Sequence, residues 1–123
     1  PLLESDLFEI MQAVANGTLA DVDVRFRDGA ACCVVIASGG YSGKYATGAT
    51  ITIGDLKNSV VFCAGVKQDG EAMLTSGGRV LGVVACDGTL EGAIARAYAD
   101  VPAVTFYGAY YRRDIGKRAL EKA

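Results

Sequence analysis

Two runs of consecutive apolar residues, Ala30–Ala37 and Val80–Cys86, constrain this chain more than any other feature. They are rich in valine, and glycine-containing turn signals bound them. That pattern suits strands buried on both faces, as in the middle of a sheet. Neither approaches the ~20 residues of a membrane-spanning helix. Shorter apolar segments, Thr50–Ile53, Val60–Cys63, Ala72–Leu74 and Val104–Phe106, read as further strands. Val22, Val24 and Phe26 alternate with charged residues, which predicts a strand with one wet face. Asp28-Gly29 is a turn signal, and Asp69-Gly70 reads as a hairpin turn.

Helical periodicity is confined to the flanks. Asp6, with Glu9 three residues on, marks a helix start. Leu7, Ile10, Met11 and Val14 then recur as one apolar face, and Asn16-Gly17 ends the helix. Thr89 caps a second helix, with Glu91 in its first turn. Its buried stripe is Leu90, Ala93, Ile94, Ala97, Tyr98 and Val101, and Pro102 follows it. Gly116–Lys122 forms a last helical turn or two. Strands in the middle and helices outside define an α+β class rather than alternating βαβ units. A length of 123 residues, about half of them apolar (51%), suits one domain with a real core.

Composition removes several chemistries. The chain has no histidine, which excludes serine–histidine and cysteine–histidine catalysis within it. Its net charge of −2 offers no overall field for nucleic acid or an anionic membrane. Cys32, Cys33, Cys63 and Cys86 form no C-x-x-C pair and sit in apolar, strand-like surroundings. They read as buried reduced thiols of a cytoplasmic protein. The start, Pro1-Leu2-Leu3-Glu4, lacks the basic region of a signal peptide, and its proline in place of methionine fits either processing or a fragment of a longer protein.

Three segments could carry chemistry. Ser38-Gly39-Gly40-Tyr41-Ser42-Gly43-Lys44 resembles a phosphate-binding P-loop only superficially. Ser38 stands where glycine is needed, Tyr45 replaces the magnesium-binding hydroxyl, and a strand follows instead of a helix. A tight turn needing positive φ explains the glycines equally well. Thr75-Ser76-Gly77-Gly78-Arg79 lets a backbone approach something closely, and Arg79 either clamps an anion or pairs with a carboxylate. Tyr110–Arg118 carries the arginine forks that suit phosphate or carboxylate, or else a solvated tail interrupted by packing at Tyr111, Ile115 and Leu120. Its short aromatic interleaving does not make a nucleic-acid patch.

In order, these segments resemble one family. Ala37–Tyr45 is similar to the A-S-G-G-Y-P-G-x-Y stretch of phosphoribosylamine–glycine ligases, Phe62–Lys67 to their F-H-A-G-T-K, and Thr75–Leu81 to T-N-G-G-R-V-L. Arg96-Ala97-Tyr98 matches R-A-Y, and Tyr111–Gly116 resembles Y-R-x-D-I-G. Leu3–Leu7 resembles the passage from the ATP-grasp region into the C-terminal domain. Ser42, Cys63 and Ser76 depart from the family's proline, histidine and asparagine.

The resemblance implies a rudiment of a barrel–sandwich hybrid with flanking helices. Residues 1–20 would be the helix ending the ATP-grasp region and 21–123 the C-terminal domain. It implies ligation of glycine to 5-phosphoribosylamine: ATP phosphorylates the glycine carboxylate and the amine attacks the acyl phosphate. ATP and Mg2+ would be bound mainly by upstream domains, so this segment alone would be inactive, in a full-length monomeric, cytoplasmic enzyme. No catalytic or metal residue is expected here. Ser38, Gly39, Gly40, Tyr41, Lys67, Arg79 and Arg112 are the expected substrate-binding residues, with Arg112 favoured over Arg113 because the pattern leaves the second position free. A stand-alone module for a phosphorylated metabolite and a purely structural brace are the alternatives.

Overall fold

The computed structural model describes residues 1–121. In chain order the elements are helix α1 (Leu7–Asn16), strands β1 (Ala30–Ser38), β2 (Thr52–Ile53), β3 (Ser59–Cys63), β4 (Val66–Asp69), β5 (Ala72–Thr75) and β6 (Arg79–Asp87), helix α2 (Leu90–Asp100), strands β7 (Val104–Thr105) and β8 (Ala109–Tyr110), and the short helix α3 (Lys117–Leu120). The main sheet is antiparallel with order β3-β6-β1-β8. Two small antiparallel pairs, β2-β7 and β4-β5, complete the β structure. The result is a small mixed α/β domain with antiparallel sheets.

The two long apolar runs are neighbours. β1 and β6 pair from Ala30–Asp87 to Ile36–Leu81, and a bulge between Ile36 and Ala37 shifts the register to Ala37–Arg79. Helix α2 lies across both strands. Between helix and sheet lie Val34, Ile36, Val80, Val83, Ala93, Ala97 and Val101, all at most 1% exposed. The small residues of α2 let it sit close to the sheet. Burying such a valine or isoleucine side chain contributes about 1.5–3 kcal/mol.

Polar contacts fix both ends of α2. The Thr89 hydroxyl accepts from Gly92 N at 3.1 Å, and the Asp87 carboxylate takes Thr89 N at 3.1 Å and Arg96 Nε at 2.8 Å. At the far end the buried Asp100 carboxylate accepts from Asn58 N at 2.8 Å and Lys57 N at 3.1 Å. The Asn58 bond, with its Lys57 neighbour, holds the Asp100 carboxyl below the usual carboxylate range despite its burial.

Several expectations need correction. Val22–Phe26 is not a strand. A single 3-10 turn at Leu19–Asp21 precedes it, and only Phe26 bridges, to Leu3. The segment is tied down instead by Ser5: Arg25 N donates to Ser5 Oγ at 2.7 Å. β1 is not buried on both faces, because Cys33 and Val35 point to an open side while Cys32, Val34 and Ile36 point to the core. The cysteines are free, yet Cys33 and Cys63 are exposed and only Cys32 is fully buried. Helix α1 starts at its Asp6 cap and ends at Gly17 (φ 72°), but Leu7, Phe8, Met11 and Val14 remain 58–72% exposed. The two-residue hairpin loop between β4 and β5 is Gly70-Glu71, one position later than the Asp-Gly signal. Tyr111 and Ile115 pack on the core as expected, whereas Leu120 stays 40% exposed. Lys122, expected in the last helix, lies outside the described residues. Among the described residues no helix is long and apolar enough to cross a membrane.

Two outcomes follow for this chain in urea. Ile36→Ala removes a fully buried side chain and lowers the unfolding free energy by about 2–5 kcal/mol, whereas Val60→Ala on the open face changes it little. Asp100 has a depressed folded pKa, so its contribution is present above the unfolded value of about 3.9 and is lost as pH falls through the lower folded value. Asp100→Asn is therefore less stable than wild type near neutral pH, and the gap between their urea midpoints narrows below about pH 4.

Candidate functional site

Three loops that are distant in sequence meet at the N-terminal end of β6. Ser38 N donates to Gly78 O at 2.8 Å, and the Ser38 hydroxyl donates to Gly77 O at 3.0 Å. Gly65 N donates to Arg79 O at 3.0 Å, and Ser76 N donates back to Gly65 O at 2.7 Å. The backbones cross so closely that a Cβ on Gly65 would stand 2.7 Å from Arg79 O and 2.8 Å from Gly77 Cα. Gly78 has no room either, because the Tyr41 ring lies on it. The glycines are thus required by close approach, and in the first loop also by conformation. Gly40 sits at φ 85° and Ser42 at φ 77°, a left-handed position unusual for a residue with a side chain.

Over this junction lies an open cleft of about 570 Å³. Gly82 and Leu81 of β6 lie at its base, Tyr41 and Tyr45 come from the first loop, and Phe62 and Cys63 from the end of β3. Cys33, Val35 and Arg79 complete the lining. Gly82 leaves a notch in the sheet that the Cys33 sulfur overhangs. Although Cys33 is exposed, partial desolvation against the sheet pushes its thiol up, which lowers the thiolate fraction. A second, smaller cavity of about 210 Å³ shares Val35, Tyr41 and Arg79 and adds Tyr110, Tyr111 and Arg112. Its wall is almost wholly hydrocarbon, so the arginines line it with their stems. A third cleft of about 610 Å³ is half polar and contains Arg112, Asp114, Lys117, Arg118 and Glu121.

The structure therefore gathers Tyr41, Arg79 and Arg112 around adjoining cavities. It does not bring Lys67 there: that residue is exposed on β4 and lines none of the three. Ser38 is 4% exposed and its hydroxyl is committed to Gly77, so its contribution is to hold two loops together. Gly39 runs against the Gly108 carbonyl, where a Cβ would come within 3.0 Å. Arg112 is bidentate to Asp114, with Nε to Oδ1 at 2.8 Å and Nη2 to Oδ2 at 2.7 Å. That fork raises the Arg112 pKa and lowers that of Asp114.

Tyr45, Phe62, Cys63 and Asp114 were not among the expected site residues. The first three read as strand or loop residues, and only the pairing of β3 with β6 shows that Phe62 stands opposite Gly82. Asp114 had a legible signal, an acid two residues after an arginine. Arg96 and Tyr98 are structural. Arg96 holds α2 to Asp87, and the Tyr98 hydroxyl bridges Arg112 O and Ile115 N.

A domain of this fold also occurs in a solved phosphoribosylamine–glycine ligase. The crystal structure of that ligase from Thermotoga maritima superposes with a TM-score of 0.72 at 35% identity, covering 86% of this chain and 27% of the ligase. The family model for the phosphoribosylglycinamide synthetase C domain matches residues 31–118, and the chain belongs to that family. The phosphoribosylamine–glycine ligase of Chlorobaculum tepidum is 49% identical over 98% of this chain and 29% of its own length. That of Clostridium acetobutylicum is 47% identical over 94% and 28%. A trifunctional purine biosynthetic protein of Gallus gallus is 43% identical over 98% of this chain and 12% of its own. The chain thus spans less than a third of the length of these relatives.

The loop junction is testable without a ligand. Gly65→Ala forces a Cβ into backbone and destabilises the chain by roughly 1–3 kcal/mol. Gly88→Ala, with open space around it, leaves the thermal midpoint close to wild type. Equal midpoints for the two variants would contradict the crossing.

Proposed function

We propose that this chain is the C-terminal domain of a phosphoribosylamine–glycine ligase and forms the acceptor side of that enzyme's active site. The single observation behind this reading is the convergence of Tyr41, Arg79 and Arg112 around adjoining cavities at the crossing of the glycine loops, in a member of this family. The whole enzyme joins glycine to 5-phosphoribosylamine at the expense of ATP in purine biosynthesis, in the cytoplasm and as a monomer. Relatives more than three times longer do not favour a stand-alone binding module.

On this reading Arg79 and Arg112 hold the ribose phosphate or the glycyl carboxylate, Tyr41 walls the cleft, and Ser38, Gly39 and Gly40 shape the loop that carries it. Lys67 contributes at longer range from β4. The domain's effect is to position the amine for attack, because holding two reactants in register replaces a bimolecular encounter. It supplies no acid or base. ATP and Mg2+ belong to the upstream region. Among the described residues no three acidic or cysteine side chains gather closely enough to hold a metal ion, so the residues here do not fit Mg2+.

Residues 1–20 go with that upstream region and 21–123 form the C-terminal domain. The exposed apolar face of α1 supports this, because contiguous exposed apolar surface marks an interaction site. The barrel–sandwich reading of the core rests on the two small antiparallel strand pairs that accompany the main sheet.

In the full-length ligase, Arg112→Ala raises the KM for phosphoribosylamine about tenfold or more and leaves the KM for ATP near wild type. Steady-state kinetics measure both, and an unchanged phosphoribosylamine KM would remove Arg112 from the site.

A further inference from the structure

We infer that Asp114 is a positioning residue: it fixes Arg112 so that one edge of the guanidinium stays open for the anionic group of the acceptor. The inference rests on the reading of Arg112 given above. A guanidinium carries five N–H donors on a planar frame. Asp114 takes the side-on edge, accepting from Nε at 2.8 Å and from Nη2 at 2.7 Å. The remaining donors lie on Nη1 and the outer side of Nη2, turned away from Asp114. That end-on edge is itself a two-donor fork and matches a phosphate or carboxylate.

The backbone that carries the pair is already fixed. The Tyr98 hydroxyl of α2 donates to Arg112 O at 2.6 Å and accepts from Ile115 N at 3.0 Å. Gly116, at φ 84°, closes the turn where a Cβ would strike Ile94. The side chain is the loose part, 64% exposed in Arg112. A long exposed arginine loses rotamer freedom when it binds, and Asp114 removes much of that freedom beforehand. An ion pair this exposed contributes little to fold stability, so its consequence is orientation. Lys117 and Arg118 share the cleft with the pair, and so does Glu121, which lies 3.9 Å from Lys117; Arg112, Lys117 and Arg118 against Asp114 and Glu121 leave it a net charge of +1, enough to attract an anion.

The test uses the full-length ligase carrying this domain. Asp114→Ala is expected to raise the KM for phosphoribosylamine about tenfold, with kcat and the KM for ATP within about twofold of wild type and the thermal midpoint unchanged. Asp114→Asn, whose amide oxygen still accepts from Nε, should recover part of the loss. In an Arg112→Ala background Asp114→Ala should add nothing, because a positioning residue acts only through its partner. A wild-type KM in Asp114→Ala while Arg112→Ala is impaired overturns the positioning role alone. So does an equal added loss in the Arg112→Ala background, which would give Asp114 a role of its own. An unchanged KM in Arg112→Ala overturns the reading of Arg112 and, with it, this inference.

Discussion

The backbone crossing of Gly65 with Gly77 is the constraint on which the rest of this structure depends. β3 pairs with β6 on one side, and the chain then turns into β4 only because Gly65 can pass against Arg79 and Gly77. The same crossing leaves the carbonyls of Gly77 and Gly78 to Ser38, which fixes the end of β1 and the start of the first glycine loop. The loops are thus hydrogen-bonded to one another before any ligand is considered. Side chains that leave the junction, Tyr41 and Arg79, inherit its rigidity. A site built this way holds its geometry better than one carried on independent loops, and acceptor positioning needs that.

The asymmetry of the main sheet follows from the same arrangement. α2 covers one face, its alanines against the valines of β1 and β6, while the other presents Cys33, Val35, Val60 and Phe62 on the side of the notch at Gly82. An apolar face left open beside a cleft with arginines is costly for an isolated domain. It is understandable in a segment that forms less than a third of its relatives' length. The exposed face of α1 has the same character. Both are contiguous exposed apolar surfaces of the kind that mark interaction sites.

Much of the fold was legible because local signals and tertiary demand agreed. The two long apolar runs became the central strands, Thr89 and Asp6 became helix caps, and Gly17 ended its helix. Where they disagreed, periodicity misled. A continuous apolar run cannot say whether one face or two are covered, so Cys33 and Val35 were read as buried. Alternation at Val22, Val24 and Phe26 imitates a strand, but no neighbouring strand is present for it to pair with beyond the Leu3 bridge. The candidate site was legible in part. The glycine loops and Arg112 stood out, yet the serine hydroxyl at position 38 proved to be spent on a loop contact and Lys67 stood apart. Phe62 and Cys63 stood in a family-like segment, but only sheet register places them opposite Gly82 and Leu81.

On the acceptor-side reading, this domain meets the acceptor rather than the nucleotide. Amide hydrogen exchange of the full-length ligase, with the product glycinamide ribonucleotide or with ATP alone, tests it most directly. The account predicts that the product slows exchange in residues 38–45, 76–79 and 110–116 while ATP alone leaves those segments unchanged. Protection of these segments by ATP alone, with none from the product, would contradict it.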